Sequence, residues 1–337
     1  MNPTRFGKYL LIDQISRGGM AEVYLAKAIG AQGFERVVAL KRILPVIAED
    51  PDFQTMFIDE AKISSSLTHA NIGQVYEFGQ TDDTYFLTME YIAGKDIRAI
   101  RTRLAERKRH MAVPMALYIC GQLCQALDHA HRMTNLEGES MQIVHRDVSP
   151  PNVVVSYQGA VKLIDFGIAR ARSRLTRTRT GKLKGKFAYM SPEQVEGVPL
   201  DHRSDIFATG TLLFEMLTHQ RPFRGDNELA VMNAIRKGNC PPPSTVNPDV
   251  PLAVDEIVMK ALSRDRDKRY AWASEVFEAI QAYLGRVSQS YGASDLVAWM
   301  QDAFRPEIEA SRQLLLRLRE LRPEDCDDDL LGDEDEE

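Results

Sequence analysis

The sequence predicts an α+β fold in two lobes, a small lobe built on an antiparallel sheet and a larger helical lobe. Three observations carry this. Strand-like apolar segments alternate through residues 9–43 and return at 73–79 and 84–91. From Val113 onward the apolar spacing becomes helical. The length of 337 residues suits one two-lobed unit and a short tail.

Tyr9-Leu10-Leu11-Ile12, Val23-Tyr24-Leu25-Ala26-Lys27 and Val37-Val38-Ala39-Leu40-Lys41 are the first three strands, with a glycine turn after the first. A helix is expected over about 51–67, where Phe53, Phe57, Ala61 and Ile63 lie on or near one face. Residues 73–79 and 84–91 complete the sheet, so the small lobe runs over about 9–92 and the large lobe over about 93–285. In the large lobe Pro114 suits a first helical turn, and 113–133 reads as a long apolar helix. Further helices are expected at 201–218, 226–237, 252–262 and 272–286, two of them separated by Pro241-Pro242-Pro243. Residues 135–142 are polar and contain Gly138, as an extended surface hairpin would. A helical extension is expected over 290–322 and an acidic, disordered tail over 323–337.

The formal net charge is −6, but residues 324–337 hold ten acids and no base, and without those ten the charge becomes +4. A mildly basic body does not require a nucleic-acid partner. The first residues show no signal-type apolar run. No stretch reaches the roughly 18 uninterrupted apolar residues of a membrane span, so a cytoplasmic protein is expected. Cys120 and Cys124 sit on an apolar helix, Cys240 precedes the proline run and Cys326 lies in the tail. Without a CxxC pair these read as reduced thiols, two of them packed in a core.

The chemistry is concentrated in two loops. His145-Arg146-Asp147-Val148-Ser149-Pro150-Pro151-Asn152 is followed, eighteen residues after Asp147, by Asp165-Phe166-Gly167. Phosphoryl transfer needs a carboxylate for the proton of the attacking hydroxyl, and oxygen ligands that hold Mg²⁺ against the phosphates. The first loop supplies a carboxylate and an amide; the second supplies a metal-binding Asp. On these motifs the chain resembles the protein-kinase family, in its bacterial eukaryote-like (Hanks-type) Ser/Thr branch, from about residue 6 to 285. The resemblance implies a bilobal kinase fold, ATP and Mg²⁺ as cofactors, and protein substrates.

The resemblance also implies residue roles. In Ser16-Arg17-Gly18-Gly19-Met20-Ala21-Glu22-Val23 the phosphate-covering turn keeps its central Gly18, with Gly19 beside it. Ser16 and Ala21 replace the outer glycines but are small enough for close approach. Lys41 would meet the α- and β-phosphates and pair with Glu60, nineteen residues on, with Asp59 as a rival partner. In Thr88-Met89-Glu90-Tyr91-Ile92-Ala93-Gly94-Lys95-Asp96, backbone groups of Glu90 and Ile92 would read adenine and Met89 would guard the back pocket. Asp96 would take the ribose, and Val23, Ala39 and Val154 would sandwich the ring. Asp147 is the base or orienting carboxylate, and Asn152 and Asp165 are the metal ligands. His145 reads as a packed structural residue. Glu193 is expected to pair with Arg269, and Asp205 to receive backbone hydrogen bonds from the catalytic loop.

Two positions depart from the family pattern. The Lys usually found two residues after the catalytic Asp is Ser149, and the Thr ahead of Ser191-Pro192-Glu193 is Lys186. Ammonium and hydroxyl have exchanged places, resembling a myxobacterial variant, and Lys186 is expected to supply the contact that Ser149 cannot. A lost charged hydrogen bond contributes roughly 1.5–3 kcal/mol, about ten- to hundredfold in rate. That slows an enzyme without abolishing it, so an active kinase with Ser/Thr preference is expected. A nucleotide-binding scaffold without turnover is the rival reading, and a small-molecule kinase a weaker one.

Residues 170–186 hold eight basic residues and no acid, with Thr176, Thr178 and Thr180 among them. Phosphate there would offset the charge and engage Arg146, so trans autophosphorylation on Thr178 or Thr180, less readily Thr176, is expected. A small-lobe homodimer is a further partner left open. The acidic tail reads as a solvated segment, with contact to the basic loop as the alternative. Arg98, Arg101, Arg103, Arg107, Lys108 and Arg109 read as a solvated helix face, with docking of an acidic protein as the alternative.

Overall fold

The computed structural model describes residues 3–19, 21–30, 34–44, 51–166, 186–288, 290–322 and 327–328. The chain forms two compact units: Met1–Leu67 with Gln74–Ala93 and Arg305–Glu337, and Thr68–Gly73 with Gly94–Phe304.

The first unit contains β1 (Thr4–Phe6), β2 (Tyr9–Arg17), β3 (Ala21–Ile29), β4 (Glu35–Ile43), α1 (Pro51–Ser66), β5 (Val75–Thr81) and β6 (Thr84–Glu90). The strands pair antiparallel in the spatial order β1-β2-β3-β4-β6-β5. The two-residue period of a strand sorts its side chains onto two faces. One face packs Phe6, Tyr9, Leu11, Ala26, Val38, Leu40 and Phe86. The other packs Ala39, Ile43 and Met89 against Phe57 and Ala61 of α1. The β3–β4 register is regular, with Val23 opposite Lys41, Leu25 opposite Ala39 and Lys27 opposite Val37. Those six residues therefore share one face of the sheet.

The second unit holds β7 (Gly94–Asp96), α2 (Ile97–Glu106), α3 (Val113–His131), β8 (Val153–Ser156), β9 (Val161–Leu163), α4 (Pro192–Glu196), α5 (Arg203–Thr218), α6 (Glu228–Lys237), α7 (Leu252–Ala261), α8 (Ala273–Arg286) and α9 (Ala293–Ala303). Helix α5 is buried at every residue from Ser204 to Thr218, as a helix that is apolar nearly all round must be. It packs against α3 and α7, and α3 packs against α8. Cys120 and Cys124 lie buried in α3, as expected. A Cβ at Gly94 would collide with the backbone of Val155 and Ser156, so only glycine fits the β7–β8 pairing there. The 135–142 insertion closes as a hairpin, with Thr134 bridged to Ser140 and Met141 N–H donating to Met133 O (2.9 Å).

The 290–322 extension is helical, as expected, and divides between the units: α9 belongs to the second and α10 (Arg305–Glu320) to the first. Two expectations need correction. Within the tail expected to be disordered, β10 (Asp327–Asp328) pairs in parallel with Thr4 and Arg5 of β1. Composition measures what side chains can bury, whereas the open edge of β1 needs only backbone partners. The Arg-rich segment is a solvated face only in part: Arg98, Arg107, Lys108 and Arg109 are exposed, whereas Arg101 and Arg103 are half-buried. Arg101 binds buried Glu215 (2.7 Å), and Arg103 lies over Phe304 (4.7 Å) and bonds Ala303 O. Arg107 pairs with Asp302.

The expected Glu193–Arg269 pair is present and buried, with contacts of 2.7 and 2.9 Å. Arg269 spends its remaining N–H groups on the carbonyls of Ser263, Arg203 and Arg264, so all five donors are used. Burial alone would raise the Glu193 pKa; the bonds from Arg269 and Ser204 outweigh it and hold the carboxyl below its ordinary range. Lys has too few donors and no planar fork to replace this Arg. Arg269→Lys should lower unfolding stability by about 3–5 kcal/mol, read as a shifted denaturation midpoint with unchanged slope.

Candidate active site

The site is built outward from one buried carboxylate. Asp205 sits in the first turn of α5 and is 1% exposed. It accepts hydrogen bonds from His145 N–H (2.7 Å), Arg146 N–H (2.8 Å) and the His131 Nε2 of α3 (2.8 Å). Burial alone would raise its pKa; the His131 bond and charge, with lesser help from His145 and Arg146, bring it below the ordinary carboxylate value. The tether is therefore present at neutral pH and is lost only as pH falls below the ordinary carboxylate range.

Asp205 thus hangs the loop 145–152 by its backbone, as expected. Arg146 adopts φ +67°, a left-handed conformation uncommon outside glycine. Two residues on, the Asp147 N–H donates to His145 Nδ1 (3.2 Å), which leaves Nε2–H to donate to Ile164 O (3.1 Å). His145 is fully buried and packs 4.7 Å from the Phe166 ring. It ties the Asp147 loop to the segment carrying Asp165, in keeping with a packed structural histidine.

Asn152 closes the loop. Its amide donates to Asp147 O (2.8 Å) and Asp147 Oδ2 (2.7 Å). Both bonds are made by the amide nitrogen, so the Asn152 Oδ1 takes no part in them. Ile164 N–H donates to Asn152 O (2.9 Å), one residue before Asp165, itself at φ +56°. An amide oxygen and a carboxylate are the hard donors Mg²⁺ takes, with phosphate oxygens completing its shell. No cluster of three or more His, Cys, Asp or Glu among the described residues could hold a metal unaided. The donor set therefore fits a metal brought with a nucleotide. Ser149 is buried, its hydroxyl donating to Asp147 O (3.1 Å).

Two connections were missed from the sequence. Gln194 and Ser191 form a capping box at the start of α4, and Gln194 also donates to Arg146 O (3.1 Å). The Ser-x-x-Gln spacing was a readable signal for the cap, but nothing local pointed to Arg146. His131, the third donor to Asp205, comes from a helix whose composition reads only as apolar. The Arg146 Nε is buried without a hydrogen-bond partner among the described residues, and burial pulls its guanidinium pKa below the ordinary value against the pull of Asp205.

In the first unit Lys41 Nζ lies 2.8 Å from Glu60 Oε1, and Glu60 is buried. The partner is Glu60 and not the rival Asp59. Val23 lies opposite Lys41 in the β3–β4 register, and Ala39 lies opposite Met89 across β4–β6. Ser16 pairs with Val23, and Gly18 N–H closes the turn onto Ala21 O (2.8 Å), with Gly19 at its tip. Glu90 N–H goes to Gln74 O (2.8 Å), which narrows any adenine contact at Glu90 to its carbonyl. Ile92 follows in the same unit. In the second unit Asp96 caps α2, accepting from Ala99 N–H (2.7 Å), and faces Val154 across β7–β8. One Asp96 oxygen is thus committed to the cap. Thr176, Thr178, Thr180 and the side chain of Lys186 lie outside the described residues; Lys186 opens the short 3₁₀ turn Lys186–Tyr189.

The second unit holds the carboxylate and amide, the first holds the lysine–glutamate pair, and both belong to an α+β architecture of the protein-kinase class. The protein kinase domain family matches residues 9–280, and the chain belongs to that family. It is 44% identical over 303 residues to the tyrosine-protein kinase MasK of Myxococcus xanthus, covering 90% of this chain and 47% of that protein. It is 37% identical to the serine/threonine-protein kinase PrkC of Bacillus subtilis, covering 80% of this chain and 39% of PrkC. With the serine/threonine-protein kinase PknE of Mycobacterium tuberculosis the identity is 33%, over 90% of this chain and 50% of PknE. The chain thus spans about half the length, or less, of these relatives. The solved kinase domain of M. tuberculosis PknI superposes with a TM-score of 0.63 at 26% identity, covering 85% of this chain and 99% of that domain. Among the described residues no helix is long and apolar enough to cross a membrane.

Glu60→Gln keeps the shape of the lysine partner and removes its charge. It should weaken binding of a non-hydrolysable ATP analogue roughly tenfold, the worth of one charge-assisted bond. Calorimetry on the full chain reads the affinity, and an unchanged melting curve excludes general unfolding.

Proposed function

We propose that the chain transfers the γ-phosphate of ATP to Ser or Thr hydroxyls of proteins, its own activation segment in trans among them. The observation that carries this is the Asp147–Asn152 arrangement hung on Asp205. A carboxylate oxygen held 2.7 Å from the Asn152 amide is aimed before any substrate arrives. Asp147 orients the acceptor hydroxyl and receives its proton, while Asn152 Oδ1 and the Asp165 carboxylate would hold Mg²⁺. That metal would supply charge neutralisation for the phosphates. Lys41, held by Glu60, positions the α- and β-phosphates. Val23, Ala39, Met89, Val154, the carbonyl of Glu90 and the backbone of Ile92 form the adenine contacts, Asp96 the ribose contact, and Ser16, Gly18 and Gly19 the turn over the phosphates.

Ser149 offers no charge beside Asp147, and Lys186 is the cation assigned to replace it. The buried Arg146 Nε, without a partner among the described residues, favours phosphorylation of the basic segment, because a phosphothreonine at 178 or 180, with 176 as an alternative, would supply an acceptor. Action in cytosolic signalling, on protein substrates, belongs to the same proposal. One observation favours a second acceptor reading: the relative at 44% identity is named a tyrosine-protein kinase. PrkC and PknE, at 37% and 33% identity, carry Ser/Thr names, and Pro150 in the loop suits that preference.

Incubation of the purified chain with Mg·ATP, followed by phosphosite mapping, tests this. Phosphothreonine at 178 or 180, absent from Asp147→Asn and reduced at least tenfold in Lys186→Ala, is expected. Phosphotyrosine alone would select the second reading. Nucleotide binding with no phosphate on any residue or added protein would mark a scaffold instead.

A further inference from the structure

Lys27 is the anomaly of the first unit. It is 2% exposed, a lysine buried in a sheet. Its ammonium is held by Glu35 (2.8 Å) and by the carbonyl of Leu321 (2.8 Å), nearly three hundred residues away. Leu321 lies just past the end of α10, where helix carbonyls lack intrahelical donors and a cation is favoured. Lys27 is thus a receptor for the C-terminal end of that helix.

Helix α10 is shaped for the contact. Its buried or half-buried residues are Glu307, Ile308, Ser311, Leu314, Leu315 and Leu318, spaced by threes and fours along one face. Leu318 is 2% exposed. Beyond the helix, β10 adds to the β1 edge of the same sheet. Two independent contacts, one to a buried charge and one to a sheet edge, hold the segment on the first unit.

The position of Lys27 gives the docking a consequence. Along β3, Val23, Leu25 and Lys27 point to one face, opposite Lys41, Ala39 and Val37 of β4. That face carries Lys41 and, of the residues assigned to adenine, Val23 and Ala39. Val23 and Lys27 are four residues apart on one strand, roughly 13 Å, with buried Leu25 between them. We infer that α10 and Leu321 are a positioning element for the nucleotide: their docking on Lys27 fixes the β3–β4 ribbon that presents Val23, Ala39 and Lys41. The segment 305–321 therefore raises ATP affinity when docked and lowers it when displaced. This rests on the assignment of that face to ATP.

The test is hydrogen exchange on the full chain, with and without a non-hydrolysable ATP analogue, beside Lys27→Met and Leu318→Asp. Reciprocity requires that the analogue slow exchange over 305–321 in the parent. Lys27→Met keeps the apolar stem and removes the ammonium. It should speed exchange over 305–321 and raise the analogue's Kd roughly five- to tenfold, and Leu318→Asp should do the same. Faster exchange with an unchanged Kd would make α10 a mere appendage and overturn the inference. So would an analogue that binds the parent without slowing exchange over 305–321, a measurement that needs no variant to fold. Failure of the parent to bind the analogue would instead defeat the ATP assignment, while the exchange rates still report whether Lys27 docks the helix.

Discussion

The active-site loop depends on the carboxylate of Asp205. A loop carrying Asp147 and Asn152 must be held in a conformation that a free chain would leave, since Arg146 adopts φ +67°. Such a residue costs about 1–3 kcal/mol. Two backbone hydrogen bonds from the loop to one buried carboxylate, each contributing about 1.5–3 kcal/mol when charged, offset that cost. Asp205 can do this because α5 is buried from Ser204 to Thr218. The strain of the loop is thereby borne by a helix packed inside the second unit.

The same logic recurs elsewhere. Several buried charges among the described residues are both paired and bonded to backbone. Arg269 joins Glu193 to three carbonyls, so the end of the activation segment is tied to the loop before α8. Gln194, one residue beyond Glu193, reaches back to Arg146 O. Asp205 and the Glu193–Arg269 pair therefore brace the catalytic loop from two directions. Breaking either would leave an uncompensated charge in a dry interior, which is costlier than losing an apolar contact. In the first unit Lys27 follows the rule, with the Leu321 carbonyl as its backbone partner.

Much of this was legible in the sequence, for identifiable reasons. The strands and most helices were marked by apolar period, and α3 and α5 begin and end within a few residues of the expected limits. Lys41, Glu60, Asp147, Asn152 and Asp165, the residues proposed for the chemistry, stand out in the sequence because that chemistry fixes their spacing within short motifs. What escaped was long-range and carried by backbone. Nothing local to Leu321 tells that its carbonyl meets Lys27, and nothing in an acidic tail signals a strand at 327–328. The Arg-rich segment failed for a related reason. Charge suggests solvent, but an arginine also covers rings and binds carbonyls, as Arg103 does at Phe304 and Ala303.

The central claim is that Asp147 is aimed by a loop locked to α5, before nucleotide or substrate binds. Amide hydrogen exchange at His145 and Arg146 in the unliganded chain measures it directly. These two N–H groups should exchange only through global opening, as slowly as the most protected amides of α5. Exchange at the rate of an ordinary surface loop would show that Asp205 does not hold the loop and would contradict the account.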